Sequence, residues 1–295
     1  ALVIDEPATA ARWRDFAAGW DDLEASEAAW LDASGARLVV ADIPPLAFAA
    51  ADAAGVPSVG LGNFSWDWIY GHLAPREPAL GEAAALARDA YGRAALLLRL
   101  PFAGDLGAFP RIEDVPLVAR RPGSSKGEAR RRLDLGTEPL VLLSFGGPGL
   151  PGIDLGAYEG LNEYRFLLTG NSGDGAAPSN LRRLDGGELE AAGLEYTDLV
   201  GAADVVVTKP GYGIVTDCIG AGTRMVYTDR GDFPEYPILS REMKRYIPAV
   251  HATNDEVRYG RLVSALDAVL AMPLPERPRI DGADVAAERL LAEVA

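Results

Sequence analysis

Residues 204–236, DVVVTKPGYGIVTDCIGAGTRMVYTDRGDFPEY, decide the fold of this chain. Val205, Val206 and Val207 form an unbroken β-branched run, the pattern of a strand buried on both faces. The run passes through Lys209-Pro210-Gly211-Tyr212-Gly213 into a helix predicted over 211–221, then into a strand over 224–228. Strand, tight turn, helix, strand is one step of a parallel sheet covered by helices. Glycine at the first helical turn lets a ligand approach free N–H groups, and the helix dipole favours an anion there. Lys209 stands where it adds a point charge to a phosphate. Asp217, nearly two turns into the helix, is placed to accept hydrogen bonds from a ribose diol. The same residues also read as a strand–turn–helix that uses glycine only for its tight turn. The loop that follows carries Asp229, Arg230 and Glu235, which either touch a sugar or phosphate or form a solvated connection.

The alternation extends outward in both directions. Strands are predicted at 140–144, 164–169 and 181–184, and helices at 125–133, 196–202, 236–245 and 255–271. A last helix, 282–294, follows a proline-rich connection. Toward the N-terminus, Trp13, Phe16, Trp20 and Leu23 recur at spacings of three and four, with Trp30 and Leu31 beyond them, so residues 7–34 read as one amphipathic helix stopped by Gly35. Strands at 37–42, 56–60 and 96–100 alternate with helices at 43–54 and 79–95. Between residues 101 and 122 the periodicity fades among four prolines counted from Pro101 to Pro122, the character of a linker. The fold expected is α/β, with two Rossmann-like domains over 1–115 and 116–295 facing a cleft, and the last helix returning to the first domain.

Composition narrows the chemistry. The 295 residues are 48% hydrophobic and 24% charged, ordinary for a globular protein. One cysteine, Cys218, excludes an intrachain disulfide and a cysteine-based metal site, and suggests a reducing, cytoplasmic setting. Cys218 lies on the apolar side of the 211–221 helix and is expected to be buried. Two histidines, His72 and His251, cannot make a three-histidine metal centre, and their expected roles are structural. A net charge of −15 argues against duplex nucleic acid as partner. No apolar run reaches the ~18 residues of a membrane helix.

Two further stretches carry candidate site residues. Ser144-Phe145-Gly146-Gly147-Pro148-Gly149-Leu150-Pro151-Gly152 follows the 140–144 strand, and Gly147, Gly149 and Gly152 match a dinucleotide-binding spacing. Prolines inside the match remove N–H donors, no clear helix starts at Gly152, and the next strand ends Thr169-Gly170-Asn171 without the acidic residue a ribose needs. A nicotinamide cofactor is therefore not expected, nor is any other cofactor. Residues 62–70, GNFSWDWIY, follow the 56–60 strand. Asn63, Ser65, Asp67 and the aromatics Trp66, Trp68 and Tyr70 either line a sugar pocket or pack as core with a polar helix cap. Asp42, at the end of its strand, is either a base or an ordinary turn opener. No Asp-x-Asp pair occurs, so no divalent metal is indicated.

These motifs carry a resemblance. The block KPGYGIVTDCIGAGTRMVYTDRGDFPEY resembles the donor-domain signature of two-domain (GT-B) glycosyltransferases of the MurG and UDP-glycosyltransferase type. ADIPPLAFAAADAAGVPSVGLGNFSWDWIY is similar to the glycosyltransferase-like N-terminal region of plant L-arabinokinases, and SFGG fits both. The resemblance implies that Gly211 and Gly213 face a nucleotide diphosphate, with Tyr212 between them, that Asp217 contacts the ribose, and that Gly146 and Gly147 floor the cleft. Lys209, Arg230 and Glu235 complete the donor side; Asn63, Ser65 and Trp66 make the acceptor side. It also implies an N-terminal domain without its first strand and glycine-rich loop, where a base often resides; Asp42 and Asp67 are the base candidates here. The expected activity is metal-independent transfer of a hexose or pentose from a UDP- or other nucleotide sugar to a small-molecule or glycan acceptor. The alternative is a non-catalytic module of the same fold that binds nucleotide sugars.

Overall fold

A computed structural model describes residues 4–146, 149–170 and 175–294. It divides into two compact units. One holds Ile4–Val118, Asp232–Ile238 and the residues from Asp281 onward; the other holds Ala119–Gly231 and Leu239–Ile280.

The first unit opens with α1 (Glu6–Ala17) and α2 (Trp20–Ser34), continues through β1 (Val39–Ala41), α3 (Pro45–Ala53), β2 (Ser58–Gly62), α4 (Trp66–Leu73), α5 (Ala79–Tyr91) and β3 (Leu96–Arg99), and reaches β4 (Ile112–Asp114). The sheet runs β1-β2-β3-β4, all parallel. Phe48, Tyr91 and Phe109 close its core, the last two stacked at 4.6 Å. The single helix expected over 7–34 is two helices, because the chain leaves helical geometry at Gly19 (φ −105°, ψ 11°). Its apolar stripe is only partly used: Trp13, Phe16 and Trp20 pack on one another, whereas Trp30 is 64% exposed. The stretch read as structureless linker contains β4, three residues too short to display a period of two.

The second unit carries α6 (Lys126–Arg132), β5 (Leu140–Ser144), β6 (Arg165–Thr169), β7 (Leu181–Leu184), α7 (Gly186–Ala191), α8 (Tyr196–Ala202), β8 (Val205–Thr208), α9 (Tyr212–Ala221), β9 (Arg224–Tyr227), α10 (Glu235–Glu242, whose first turn counts with the other unit), β10 (Ala249–His251), α11 (Asn254–Arg258) and α12 (Val263–Ala271). α13 (Gly282–Glu293) belongs to the first unit, where Gly282 N–H donates to Leu117 C=O at 3.0 Å. The second sheet is ordered β10-β9-β8-β5-β6-β7, every pair parallel. After β5 the chain adds β6 and β7 on one side, then returns to place β8 against the other, with Val141 facing Val205 and Leu143 facing Val207. Its central strands β5 and β8 are buried on both faces, which is why they read as continuous apolar runs.

The helix expected over 255–271 breaks in two at Gly260. That residue takes φ +62°, and a Cβ there would lie 2.6 Å from Ala157 C=O, so neither the backbone nor the space admits another residue type. β10 and α7, both short, had no sequence signal. Cys218 is fully buried, as expected, and burial pushes its thiol far up. Among the described residues no helix is long and apolar enough to cross a membrane.

Candidate functional site

The reversal of strand order between β5 and β8 fixes the place of the site. At such a switch point the loops leaving two neighbouring strands diverge, and a crevice opens at their C-terminal ends. Here those loops begin at Ser144 and Thr208, and between them lies a cavity of about 520 Å³. Glycines 146, 170, 211 and 213 edge it, and Arg120, Ser144, Thr169, Tyr196, Lys209 and Asp217 reach into it.

α9 presents its N-terminus to this cavity. Gly211 is its N-cap residue, in extended backbone (φ −141°, ψ 159°), and no side chain caps the helix. Among the described residues, a Cβ added at Gly211 would meet nothing nearer than Arg230 Nη1 at 3.9 Å, and at Gly213 nothing within 4 Å. Neither glycine is therefore demanded by packing among the described residues. Gly170 differs: with φ +79°, its Cβ would strike the Gly146 carbonyl at 2.8 Å, so the two loops touch backbone to backbone.

Two cations stand beside the helix start. Arg230 donates from Nη1 to Pro210 C=O at 3.1 Å, which pins the guanidinium over the turn. Lys209 is half-buried, and burial together with the Arg230 charge pushes its ammonium below the usual value. Tyr212 opens the first turn of α9.

Asp217 is on the cavity side of α9, its side chain 5% exposed. Both its oxygens are held by Arg120, Nε to Oδ1 at 3.1 Å and Nη2 to Oδ2 at 2.7 Å. An ionised carboxylate has about four lone-pair positions, so a bidentate partner leaves capacity for ligand hydroxyls. On the opposite wall Thr169 Oγ1 donates to Ser144 Oγ at 3.0 Å, and Ser144 shares a 2.7 Å hydrogen bond with Tyr196 OH. Burial pushes that phenol up to about 12. Arg120, Ser144, Thr169 and Tyr196 escaped the sequence reading. Arg120 lies 97 residues from its partner in a stretch without periodicity, and isolated hydroxyls on strands and helices carry no local signature.

The structure thus gathers Gly146, Lys209, Gly211, Gly213 and Asp217 around one cavity, with Arg230 against its rim. Gly147 lies outside the described residues. No α-helix follows Gly152; a short 3₁₀ turn at Leu155–Tyr158 stands there instead, unlike a dinucleotide-binding loop.

The remaining candidates lie in the first unit. Glu235 accepts a 2.7 Å hydrogen bond from Asn63 Nδ2, both side chains being buried. Ser65 is fully buried, hydrogen-bonded to the Asp67 carboxylate and, at 3.3 Å, to Asp105 C=O. Asp67 also pairs with Arg88 at 2.8 Å, its side chain being 2% exposed. Trp66 packs face to face on Tyr70 at 5.3 Å and edge-on to Phe64, within an aromatic cluster. Asp42 is exposed at the end of β1. Both histidines are hydrogen-bonded to carboxylates, His72 to Asp232 and His251 to Asp229, each at 2.8 Å.

No family model matches the chain. By sequence it is similar to the L-arabinokinase of Arabidopsis thaliana, 30% identical over 269 residues; the match takes in 90% of this chain and 25% of that protein, so the chain spans about a quarter of this relative's length. By structure it is similar to CalG4, the calicheamicin glycosyltransferase, at 16% identity over 99% of this chain and 82% of that one, with a TM-score of 0.63. It is also similar to UGT89C1 of Arabidopsis thaliana complexed with quercetin, at 15% identity over 95% of this chain and 79% of that one, TM-score 0.62. The glycosyltransferase VinC, in complex with dTDP, matches at 18% identity over 92% of this chain and 71% of that one, TM-score 0.54. Identities this low speak to fold. The chain has the GT-B fold of the two-domain glycosyltransferases.

Proposed function

We propose that the chain binds a nucleotide sugar in the cavity between β5 and β8 and transfers the sugar, without a metal ion, to a small-molecule or glycan acceptor. One observation carries this reading. Gly211 and Gly213 lack side chains where the protein's own packing would accept them, at an uncapped helix start beside Lys209 and Arg230. Two cations that repel one another beside a helix start with no side-chain cap favour a diphosphate, which would relieve that repulsion. In the transfer, the same groups stabilise the negative charge that develops on the leaving nucleoside diphosphate. Asp217 receives the ribose hydroxyls. With Asp67 engaged internally, Asp42 is the base candidate that remains within the chain. Residues 1–115 take the acceptor role and residues 116–295 the donor role. The structural relatives complexed with dTDP and with quercetin support a nucleotide on one side and a small hydroxylated acceptor on the other.

A second reading is a nucleotide-sugar-binding module that does not turn over. It is favoured by the relative with 30% identity, which is named for a kinase activity and is matched over only a quarter of its length.

A thermal-shift panel of UDP-, dTDP-, GDP- and ADP-sugars tests both. A ligand at a hundred times its Kd raises stability by about 2.7 kcal/mol. A shift with UDP- or another nucleotide sugar, followed by release of nucleoside diphosphate on adding an acceptor, supports the transferase. A shift with no release under any acceptor supports the module. No shift with any of them refutes the nucleotide site.

A further inference from the structure

We infer that Arg120 is a positioning residue of the nucleotide site: it orients the Asp217 carboxylate toward the ribose, and it is delivered there by a segment that two helical glycines allow to lie on α8 and α9. This rests on the nucleotide reading of the cavity and adds to it a residue outside every motif of the sequence.

The pairing is side-on and bidentate, at 3.1 and 2.7 Å, between a carboxylate 5% exposed and a guanidinium 64% exposed. Such a fork fixes both oxygens at once, so the lone pairs turned to the cavity are set before a ligand arrives. A carboxylate free to rotate would lose that freedom on binding, at the expense of affinity. Lysine, a point charge on a flexible stem, cannot hold two oxygens in this way.

The approach of the segment is equally specific. Gly220, inside α9, would with a Cβ place it 2.1 Å from Arg120 C=O, and Gly201, inside α8, would place one 2.8 Å from Pro122 Cγ. Glycine within a helix is unfavourable relative to alanine. Here the absent side chains let residues 120–122 run in direct contact with both helices, which brings the guanidinium to Asp217. Gly220 borders no atom of the ligand cavity; its effect reaches the site through the backbone of Arg120.

Calorimetry with UDP, 2′,3′-dideoxy-UDP and inorganic pyrophosphate on the full chain tests the inference, with melting temperatures to confirm folding. Wild type should prefer UDP to the dideoxy analogue. Arg120→Ala and Arg120→Lys should each lose at least tenfold of that preference while pyrophosphate affinity stays within twofold. Gly220→Ala should lose part of it. If Arg120→Ala does not fold, Arg120→Lys, which keeps the charge, decides. In an Asp217→Ala background, Arg120→Ala should have no further effect, because Arg120 acts through that carboxylate. Retained ribose preference in Arg120→Lys, or an equal loss from Arg120→Ala with and without Asp217, overturns the positioning role. Wild type that binds none of UDP, dTDP, GDP and ADP overturns the nucleotide reading itself, a result distinguishable from both; if it binds one of the others, that nucleotide and its dideoxy analogue replace UDP in the series.

Discussion

Replacing Gly211 by valine separates a glycine needed for folding from one needed for a ligand. The backbone there is extended (φ −141°, ψ 159°), a conformation any residue adopts, and the new Cβ meets only the end of the Arg230 side chain at 3.9 Å. Two small terms act on stability. Valine is a poor N-cap residue, at a loss of roughly 0.5–1 kcal/mol. Against that, removing a glycine restricts the unfolded chain, a gain of about 0.4–1 kcal/mol. The net change should lie within about 1 kcal/mol of zero, or some 2–4 °C in melting temperature. Binding should suffer far more. A phosphate docked on the N–H groups at the start of α9 makes charge-assisted hydrogen bonds worth about 1.5–3 kcal/mol each, and the valine branches fill its approach. Losing one such bond weakens UDP roughly 10- to 150-fold. Thermal unfolding and UDP calorimetry on the same preparation read both numbers. A folded Gly211→Val protein that binds UDP as tightly as its parent refutes the site.

Lys209 predicts a pH dependence. Its ammonium is pushed down by burial and by Arg230, so part of its proton is lost before the usual lysine range. A diphosphate favours the charged form; UDP binding should therefore take up protons in alkaline solution, and affinity should fall as pH rises from neutral toward about 10. Calorimetry in buffers of different ionisation enthalpy measures the uptake, and none at any pH would argue against Lys209 as a phosphate ligand. Asp67→Asn should lower stability by about 1–2 kcal/mol through its bonds to Ser65 and Arg88, with UDP affinity unchanged, as urea unfolding and calorimetry will report. Asp42→Asn should do the reverse of a structural change: unaltered melting and UDP binding, but transfer lost; retained turnover would remove Asp42 from the mechanism. Cys218, fully buried, should react with a thiol reagent only as fast as the protein opens, so labelling in native buffer should follow the unfolding rate.

Local pattern by itself determined a good deal of this protein. The strands at Leu140–Ser144 and Val205–Thr208 were legible because a parallel strand buried on both faces must be apolar throughout. The helix start at Gly211 and Gly213, with Lys209 before it, was legible because an anion-binding turn needs those residues in consecutive positions. Those elements, with the motif resemblance, were enough for the GT-B fold. What tertiary structure alone decided is the company those residues keep. Nothing local says that β8 lies beside β5 and not beyond β7, yet that choice is what opens the crevice between Ser144 and Lys209. Arg120 finds Asp217 across 97 residues, and Asn63 finds Glu235 across 172. Asp67 finds Ser65 two residues away, but it also finds Arg88 on another helix, which its sequence neighbourhood does not announce. The long helices expected at each end break at Gly19 and Gly260, the latter because the Ala157 carbonyl stands where a side chain would go. Periodicity records which face of an element is buried. It carries no record of what that face is buried against, because contacts between distant segments are set by chain topology and the packing it permits.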